Sequence, residues 1–307
     1  MNMNSWIIVA DERRAGGMLE AARQLGGEIA AVAVGTRRLA EAVAEIGFDR
    51  VVCLETAEGV PTEAYAAQVA QTVAAEAPRL VMSSDAPTGR MLLGAVAARL
   101  QSPLVGGVRT LRVDGQRLVA SRSTAEGKVL EEIEAPGILA AIFDGEDAAP
   151  SAPGPAPVEY LPAEPPGGKL KLIGTTEAGE SGGMLTAARV VGVGMGVKTR
   201  DDLQLIEELA AVVHGEIACT LPVCDDMRWY SSHRVVGSSH NQIAPQLYIA
   251  VGISGQPQHT SGIRDAKVVI AVNSDPEARI FKNCDYGILG DLYKVVPALT
   301  AAFREIG

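Results

Sequence analysis

From Trp6 to Leu100 the chain alternates short apolar runs with stretches whose apolar positions recur at helical spacing. Trp6 to Ala10, Ile29 to Val34, Val51 to Leu54 and Leu80 to Ser83 are brief and rich in β-branched or aliphatic residues, which predicts buried strands. Between them, Gly17 to Leu25, Arg37 to Glu45, Thr62 to Glu76 and Thr88 to Leu100 carry many alanines and apolar residues at i, i+3 and i+4, which predicts amphipathic helices. Strands that alternate with helices form βα units, so this part reads as a doubly wound, mostly parallel sheet.

The pattern changes at Pro103. Leu104 to Leu111 and Leu118 to Ser121 flank Val113-Asp114-Gly115-Gln116, and Asp-Gly between β-rich runs is a hairpin signal. Lys128 to Ile133 and Ile138 to Phe143 complete that sheet. Periodicity is then lost among Pro150, Pro153, Pro155, Pro157, Pro162, Pro165 and Pro166, a composition suited to an extended linker. The expected organisation is an N-terminal α/β domain over 1–147, a Pro/Gly-rich linker over 148–187 and a second, Rossmann-like α/β domain over 188–307.

The second domain opens with the strand Arg189 to Val193, then Gly194-Met195-Gly196 and a helix expected from Thr199, with Thr199 as its cap and Asp201 and Asp202 at the positive end of its dipole. Further strands are expected at Glu216 to Thr220, Leu247 to Val251 and Val268 to Val272, with a closing helix over Asp291 to Phe303. Helices are expected on both sides of this sheet.

Composition narrows the chemistry. The chain has 307 residues, 47% of them apolar and 21% charged, which suits a globular protein that buries substantial cores. Its formal net charge of −10, without clustered Lys and Arg, argues against a nucleic-acid partner. No apolar run is long enough to span a bilayer, and Met1 to Trp6 lacks the basic start of a signal peptide, so membrane insertion is not expected and a cytoplasmic location is. Cys53, Cys219, Cys224 and Cys284 are scattered, and His214, His233, His240 and His259 form no ligand spacing, so reduced thiols and no metal site are expected. Ser254 lies in Gly-Ile-Ser-Gly, without the glycine spacing of a nucleophile elbow, and no catalytic residue is assigned.

Chemistry concentrates after the second domain's strands. Gly192-x-Gly194-x-Gly196 alone does not decide between a structural turn and nucleotide binding, because the G-x-G-x-x-G spacing is not met. Gly252-Ile253-Ser254-Gly255 follows a second buried strand, where small residues let backbone N–H groups approach an anion, and Asn273 ends a third. Several loops thus converge on the carboxyl edge of one parallel sheet, where open α/β sheets bind ligands.

Four segments in one order carry a resemblance: VVGVGMG at Val190 to Gly196, LYIAVGISGQPQH at Leu247 to His259, VIAVNSDPEARIF at Val269 to Phe281 and DYGILGDLYKVVP at Asp285 to Pro297. On these residues the chain resembles the electron transfer flavoprotein alpha subunits, in the branch associated with nitrogen fixation and carnitine metabolism. The similarity is dense from Arg189 to the C-terminus and looser before it.

The resemblance implies FAD in the C-terminal domain and a beta subunit that covers it, with the N-terminal domain forming much of the shared surface. It implies electrons received from an acyl-CoA or other dehydrogenase and passed to a downstream oxidoreductase, with no substrate of the chain's own. Ser254 and Gly255 would lie against the pyrophosphate, with Gln256 and Pro257 in the same turn, and Gln258 and His259 would reach the flavin and ribityl region. His259 would donate to the negative charge that develops on the ring upon reduction. Asn273 would meet the ribityl chain or phosphate, and Asp291 and Leu292 the adenosine, although an Asp at a helix start also serves as an N-cap. Val236, Gly237, Ser238 and Ser239 would touch the ring, with the Ser239 hydroxyl standing where a threonine usually addresses flavin N5.

Some positions depart from the family's pattern. Met195 replaces the arginine of a G-R-G turn, Thr220 and Leu221 stand for a Ser-Arg pair, Val235 for a common glutamine and His240 for a glycine. A cation about 4 Å from an anionic flavin is worth on the order of 4 kcal/mol at an effective dielectric of 20, so two lost cations lower the expected potential unless Arg228, Arg234 or His240 restores charge. Two alternatives keep the fold: the flavin subunit of an electron-bifurcating complex, and a redox-impaired binding or scaffold subunit.

Overall fold

In the computed structural model, which describes residues 4–11, 15–125, 129–145, 154–163, 170, 172–174 and 183–306, the chain divides into two compact units, 1–175 and 176–307. The first begins β1 (Ser5–Val9), α1 (Ala15–Arg23), β2 (Ile29–Gly35), α2 (Arg37–Ala44) and β3 (Arg50–Glu55). It continues α3 (Ala66–Ala75), β4 (Leu80–Ser84), α4 (Pro87–Leu100), β5 (Leu104–Asp114), β6 (Arg117–Thr124), β7 (Val129–Ala135), β8 (Leu139–Phe143) and β9 (Val158–Leu161).

Local chemistry sets several of these boundaries. The Thr36 hydroxyl accepts the Leu39 N–H and caps α2, and Pro87 occupies the first turn of α4, where its missing N–H costs nothing. The helix expected from Thr62 to Glu76 is a 3-10 turn over Thr62–Tyr65 followed by α3. There the buried Tyr65 turns inward and its hydroxyl accepts the Ala57 N–H at 2.9 Å.

The nine strands form one sheet in the order β7-β6-β5-β8-β4-β1-β2-β3-β9, antiparallel only through β5-β6-β7. Alternate residues of β1 feed opposite cores. Ile7 and Val9 pack with Met18, Leu19 and Val43 beneath α1 and α2, while Trp6 and Ile8 pack with Val69, Leu92 and Leu93 beneath α3 and α4. The sheet is therefore doubly wound and mostly parallel.

One difference from the sequence reading concerns the chain after Phe143. The stretch read as linker contributes β9, whose flanks are held by Ala156 N–H to Ala44 O and Val51 N–H to Pro157 O, both at 2.9 Å. Polyproline-like segments have free carbonyls, and an open sheet edge supplies donors for them. Lys128, the expected start of one strand, and most of 164–182 lie outside the described residues.

The second unit contains β10 (Arg189–Val193), α5 (Leu203–Val212), β11 (Glu216–Cys219), α6 (Leu221–Asp225), β12 (Leu247–Val251), α7 (Pro257–Thr260), β13 (Val269–Asn273), β14 (Tyr286–Leu289) and α8 (Leu292–Ile306). All five strands are parallel, in the order β11-β10-β12-β13-β14. One face packs Val191, Val193, Ile249 and Val251 against Ile206, Leu209 and Val296 of α5 and α8. The other packs Val190, Tyr248, Ala250 and Ala271 against Ile253, Ile263 and Ile280, which come from loops and short helical turns rather than from long helices.

The helix α5 starts later than expected. Thr199 is not its cap: the Asp202 carboxylate accepts both the Thr199 N–H at 3.0 Å and the Tyr293 hydroxyl at 2.7 Å, tying the preceding loop to α8. No described helix is long and apolar enough to cross a membrane.

Leu93 is fully buried between α4 and the sheet. Leu93→Ala is expected to destabilise the protein by about 2–5 kcal/mol through lost burial and a residual cavity. A urea midpoint unchanged from wild type would contradict this packing.

Candidate functional site

Strand register places the second unit's loops at one level. Val193 pairs with Cys219 and with Val251, and Val251 with Val272, so Gly194, Thr220, Gly252 and Asn273 each follow directly at the carboxyl edge. Chain order reverses between β10 and β12, the switch point at which crevices open in such sheets.

The loops after β10 and β12 touch backbone to backbone. Gly194 N–H donates to Val251 O at 2.9 Å and Gly196 N–H to Gly252 O at 3.0 Å. A Cβ at residue 194 would overlap the Gly252 carbonyl, and one at residue 196 would lie 2.6 Å from Gly252 Cα. Gly252 and Gly255 have φ of +63° and +80°, a region that favours glycine. Beyond this contact the N–H groups of Ser254, Gly255 and Gln256 have no acceptor among the described residues.

A cleft of about 560 Å³ opens over these loops. Among the predicted residues, Met195, Thr220, Val236, Gly237, Ser239, Ser254, Gln256, Gln258, His259 and Asn273 line it. Gly255 and Pro257 belong to the loop but not to the lining, and Ser238, whose N–H donates to Gln258 O at 2.7 Å, is likewise outside it. Asp291 and Leu292 are not brought to the cleft. Asp291 Oδ1 accepts the Tyr293 N–H at 3.1 Å as a helix cap, and Leu292 packs into the core beneath α8.

Two lining residues outside that set, Leu221 and Asp275, bear on the chemistry. Leu221 and Met195 present half-exposed apolar side chains, and Asp275 adds a carboxylate. Leu221 stood out in the sequence as a departure, and Asp275 ends the polar run Asn273-Ser274-Asp275 at the carboxyl edge of the sheet, although no contact was assigned to it. No lysine or arginine lines the cleft among the described residues. Arg234, a candidate source of positive charge, is drawn away to Glu216 Oε2 at 3.2 Å and Ile217 O at 2.8 Å. Arg228 is not in the lining, whereas His240 is, beside the Ser239 hydroxyl at 3.0 Å.

His259 differs from its expected role as a donor to the ring. Its Nδ1 is 3.0 Å from Val236 O and its Nε2 is 3.0 Å from the Tyr248 hydroxyl. A carbonyl cannot donate, so Nδ1 carries the proton and Nε2 accepts from Tyr248. Both nitrogens are thereby engaged inside the protein. Burial lowers the imidazole pKa to about 4, opposed by the Val236 carbonyl, and burial also holds the Tyr248 phenol well above its ordinary range. Asn273 is similarly committed: Nδ2 donates to Ile253 O at 2.9 Å and Oδ1 accepts the Asp275 N–H at 3.0 Å, leaving one N–H for a ligand.

These features fit a flavin dinucleotide. Met195, Leu221, Val235, Val236, Ile253 and Ala278 offer apolar walls for a flat ring, Thr220 and Ser239 place hydroxyls at its edge, and the Ser254–Gln256 turn has free donors for phosphate. The thiols are not part of it as nucleophiles. Burial pushes Cys219 up to about 12 and raises Cys53, Cys224 and Cys284.

A parallel sheet with a glycine-backed cleft at its switch point defines a dinucleotide-binding α/β protein. Residues 16–165 match the model of the electron transfer flavoprotein domain, and residues 184–264 that of the electron transfer flavoprotein FAD-binding domain. The chain belongs to the electron transfer flavoprotein family as an alpha-type subunit with an FAD-binding domain, which implies a beta-subunit partner. It is 30% identical to YdiR of Escherichia coli strain K12, provisionally named an electron transfer flavoprotein subunit, over 96% of both chains. It is also 30% identical to Protein FixB of Escherichia coli O157:H7 and of Shigella flexneri, over 98% of each chain.

The buried imidazole gives a pH signature. An unfolded histidine binds a proton below about pH 6.5, and the folded His259 refuses it until about pH 4, so stability present above 6.5 is lost as pH falls between these values. By pH 5 the loss amounts to roughly 2 kcal/mol. His259→Gln is expected to remove this part of the pH dependence, and parallel melting curves for variant and wild type across that range would contradict the locked neutral ring.

Proposed function

We propose that the chain is the FAD-holding subunit of a heterodimeric electron carrier in the cytoplasm, taking electrons from an acyl-CoA or other dehydrogenase and delivering them to a downstream oxidoreductase. The observation that carries this reading is the convergence of loops at the β10/β12 switch point on one cleft, where the Ser254–Gln256 N–H groups lack acceptors among the described residues and apolar side chains share the lining with Thr220 and Ser239. The names of the FixB and YdiR relatives support it.

FAD when bound supplies the redox chemistry. The protein's residues would hold it: the Ser254–Gln256 N–H groups would receive the phosphates, Asn273 fixes that turn, and Thr220 and Ser239 would offer hydroxyls to the ring. His259 holds the Val236–Gly237 segment against the strand carrying Tyr248, so its part is positioning rather than proton donation. One cleft wall leaves a flat ring partly open to water, which suits a beta subunit as the second wall. The N-terminal unit, 1–147, supplies partner-contact surface in this reading, joined through 148–187 to the FAD domain, 188–307.

The cation-poor lining favours a lower flavin potential than a wall with arginines, a property equally useful to an electron-bifurcating complex. Co-purification of the chain with its beta-type partner, followed by mass identification of bound nucleotide, tests the main reading; a yellow complex holding FAD is expected. A colourless complex that takes up no added FAD would instead indicate a scaffold subunit. Leu221→Arg is expected to raise the midpoint potential of the bound flavin by on the order of 30 mV, equivalent to roughly 1.4 kcal/mol for two electrons. Spectroelectrochemistry showing no rise would sink the account of that wall.

A further inference from the structure

The geometry points to Arg279 as the cation that grips the pyrophosphate of the bound dinucleotide, an assignment that rests on the FAD reading above. Arg279 heads the 3-10 turn Arg279–Lys282, which lies directly against the Ser254–Gly255 turn. Ile280 N–H donates to Ser254 O at 3.1 Å, and a Cβ at residue 255 would come within 2.8 Å of the Arg279 carbonyl carbon. The arginine backbone is thus fixed beside the three loop N–H groups that lack acceptors.

Its side chain is poised over the same turn. Arg279 Nη1 donates to Gln256 Oε1 at 3.0 Å, and Gln256 lines the cleft. That partner is a neutral amide. Arg279 is exposed and forms no ion pair among the described residues, whereas Asp275 Oδ1, the nearest cleft carboxylate in sequence, accepts the Glu277 N–H at 2.9 Å. A guanidinium held at a ligand mouth by one neutral contact keeps its remaining donors and its full charge for an arriving anion.

The need for such a cation follows from the site's charge. The chain's formal net charge is −10, Asp275 faces the cleft, and no lysine or arginine lines it among the described residues. Two phosphates brought there meet donors but no compensating charge until Arg279 leaves Gln256 for them. Fork-shaped, always-charged Arg suits phosphate oxygens bidentately, which a lysine matches only as a point charge.

The test titrates FAD into the flavin-stripped heterodimer, following flavin fluorescence at low and at high salt, for wild type, Arg279→Ala, Arg279→Glu and Arg279→Lys. Arg279→Ala is expected to weaken FAD binding about tenfold and to flatten its salt dependence, with Arg279→Glu weaker still and Arg279→Lys closer to wild type. Thermal melts of the stripped variants are expected to match wild type, because the side chain is exposed. Unchanged affinity in Arg279→Ala, or an affinity loss with an unaltered salt dependence, overturns the assignment. A wild-type complex that takes up no FAD overturns the underlying FAD reading, and this assignment with it.

Discussion

The second unit depends on a contact between two backbones that have no side chains in the way. Gly194 and Gly196, leaving β10, press against Gly252, leaving β12, and two N–H to carbonyl bonds lock the loops together. The lock uses the Val251 and Gly252 carbonyls of the second loop, and the N–H groups just beyond them, of Ser254 to Gln256, are left without acceptors among the described residues. One geometric constraint therefore both closes the floor of the cleft and sets where an anion can be received. A side chain at any of the three glycines forces the loops apart and moves every donor beyond them.

Charge is distributed unevenly around this floor. The lining carries Met195 and Leu221, a neutral imidazole and the Asp275 carboxylate, while the Arg279 guanidinium donates to Gln256 of the same lining. Such a site separates two tasks: holding the dinucleotide by its phosphates and setting the electrostatics of its ring. The ring end, lacking cations, does little to stabilise added negative charge, so electrons placed there leave more readily for an acceptor.

Much of this was legible before any coordinates. Strand and helix periodicity placed nearly every element of the first unit, and Asp114-Gly115 marked the β5–β6 turn, because these signals are local and depend on burial of one face at a time. The glycine turns announced a close approach without saying of what, since nothing in Gly194-Met195-Gly196 names Gly252 as its neighbour. β9 was hidden for a related reason: its pairing is decided by the open edge of β3, a hundred residues earlier in the chain, and the flanking Pro157 and Pro162 argue against a strand.

Two of the expected site residues have internal partners that sequence does not show. His259 and Asp291 are polar groups at loop ends, and a spare polar group reads as a ligand contact until its internal partners are known. Tyr248 claims one His259 nitrogen and the Val236 carbonyl the other, while the Tyr293 N–H claims Asp291, all through folding contacts that spacing does not encode. Arg279 is the converse. It sits in a segment noted for Asn273, among the acidic Asp275 and Glu277, and reads as a surface arginine with ready local partners. Only the fold shows that it forms no ion pair with them among the described residues and donates to Gln256 instead, beside the bond from Ile280 N–H to the Ser254 carbonyl. A residue's function here is set less by its type than by which of its bonding groups folding leaves unused.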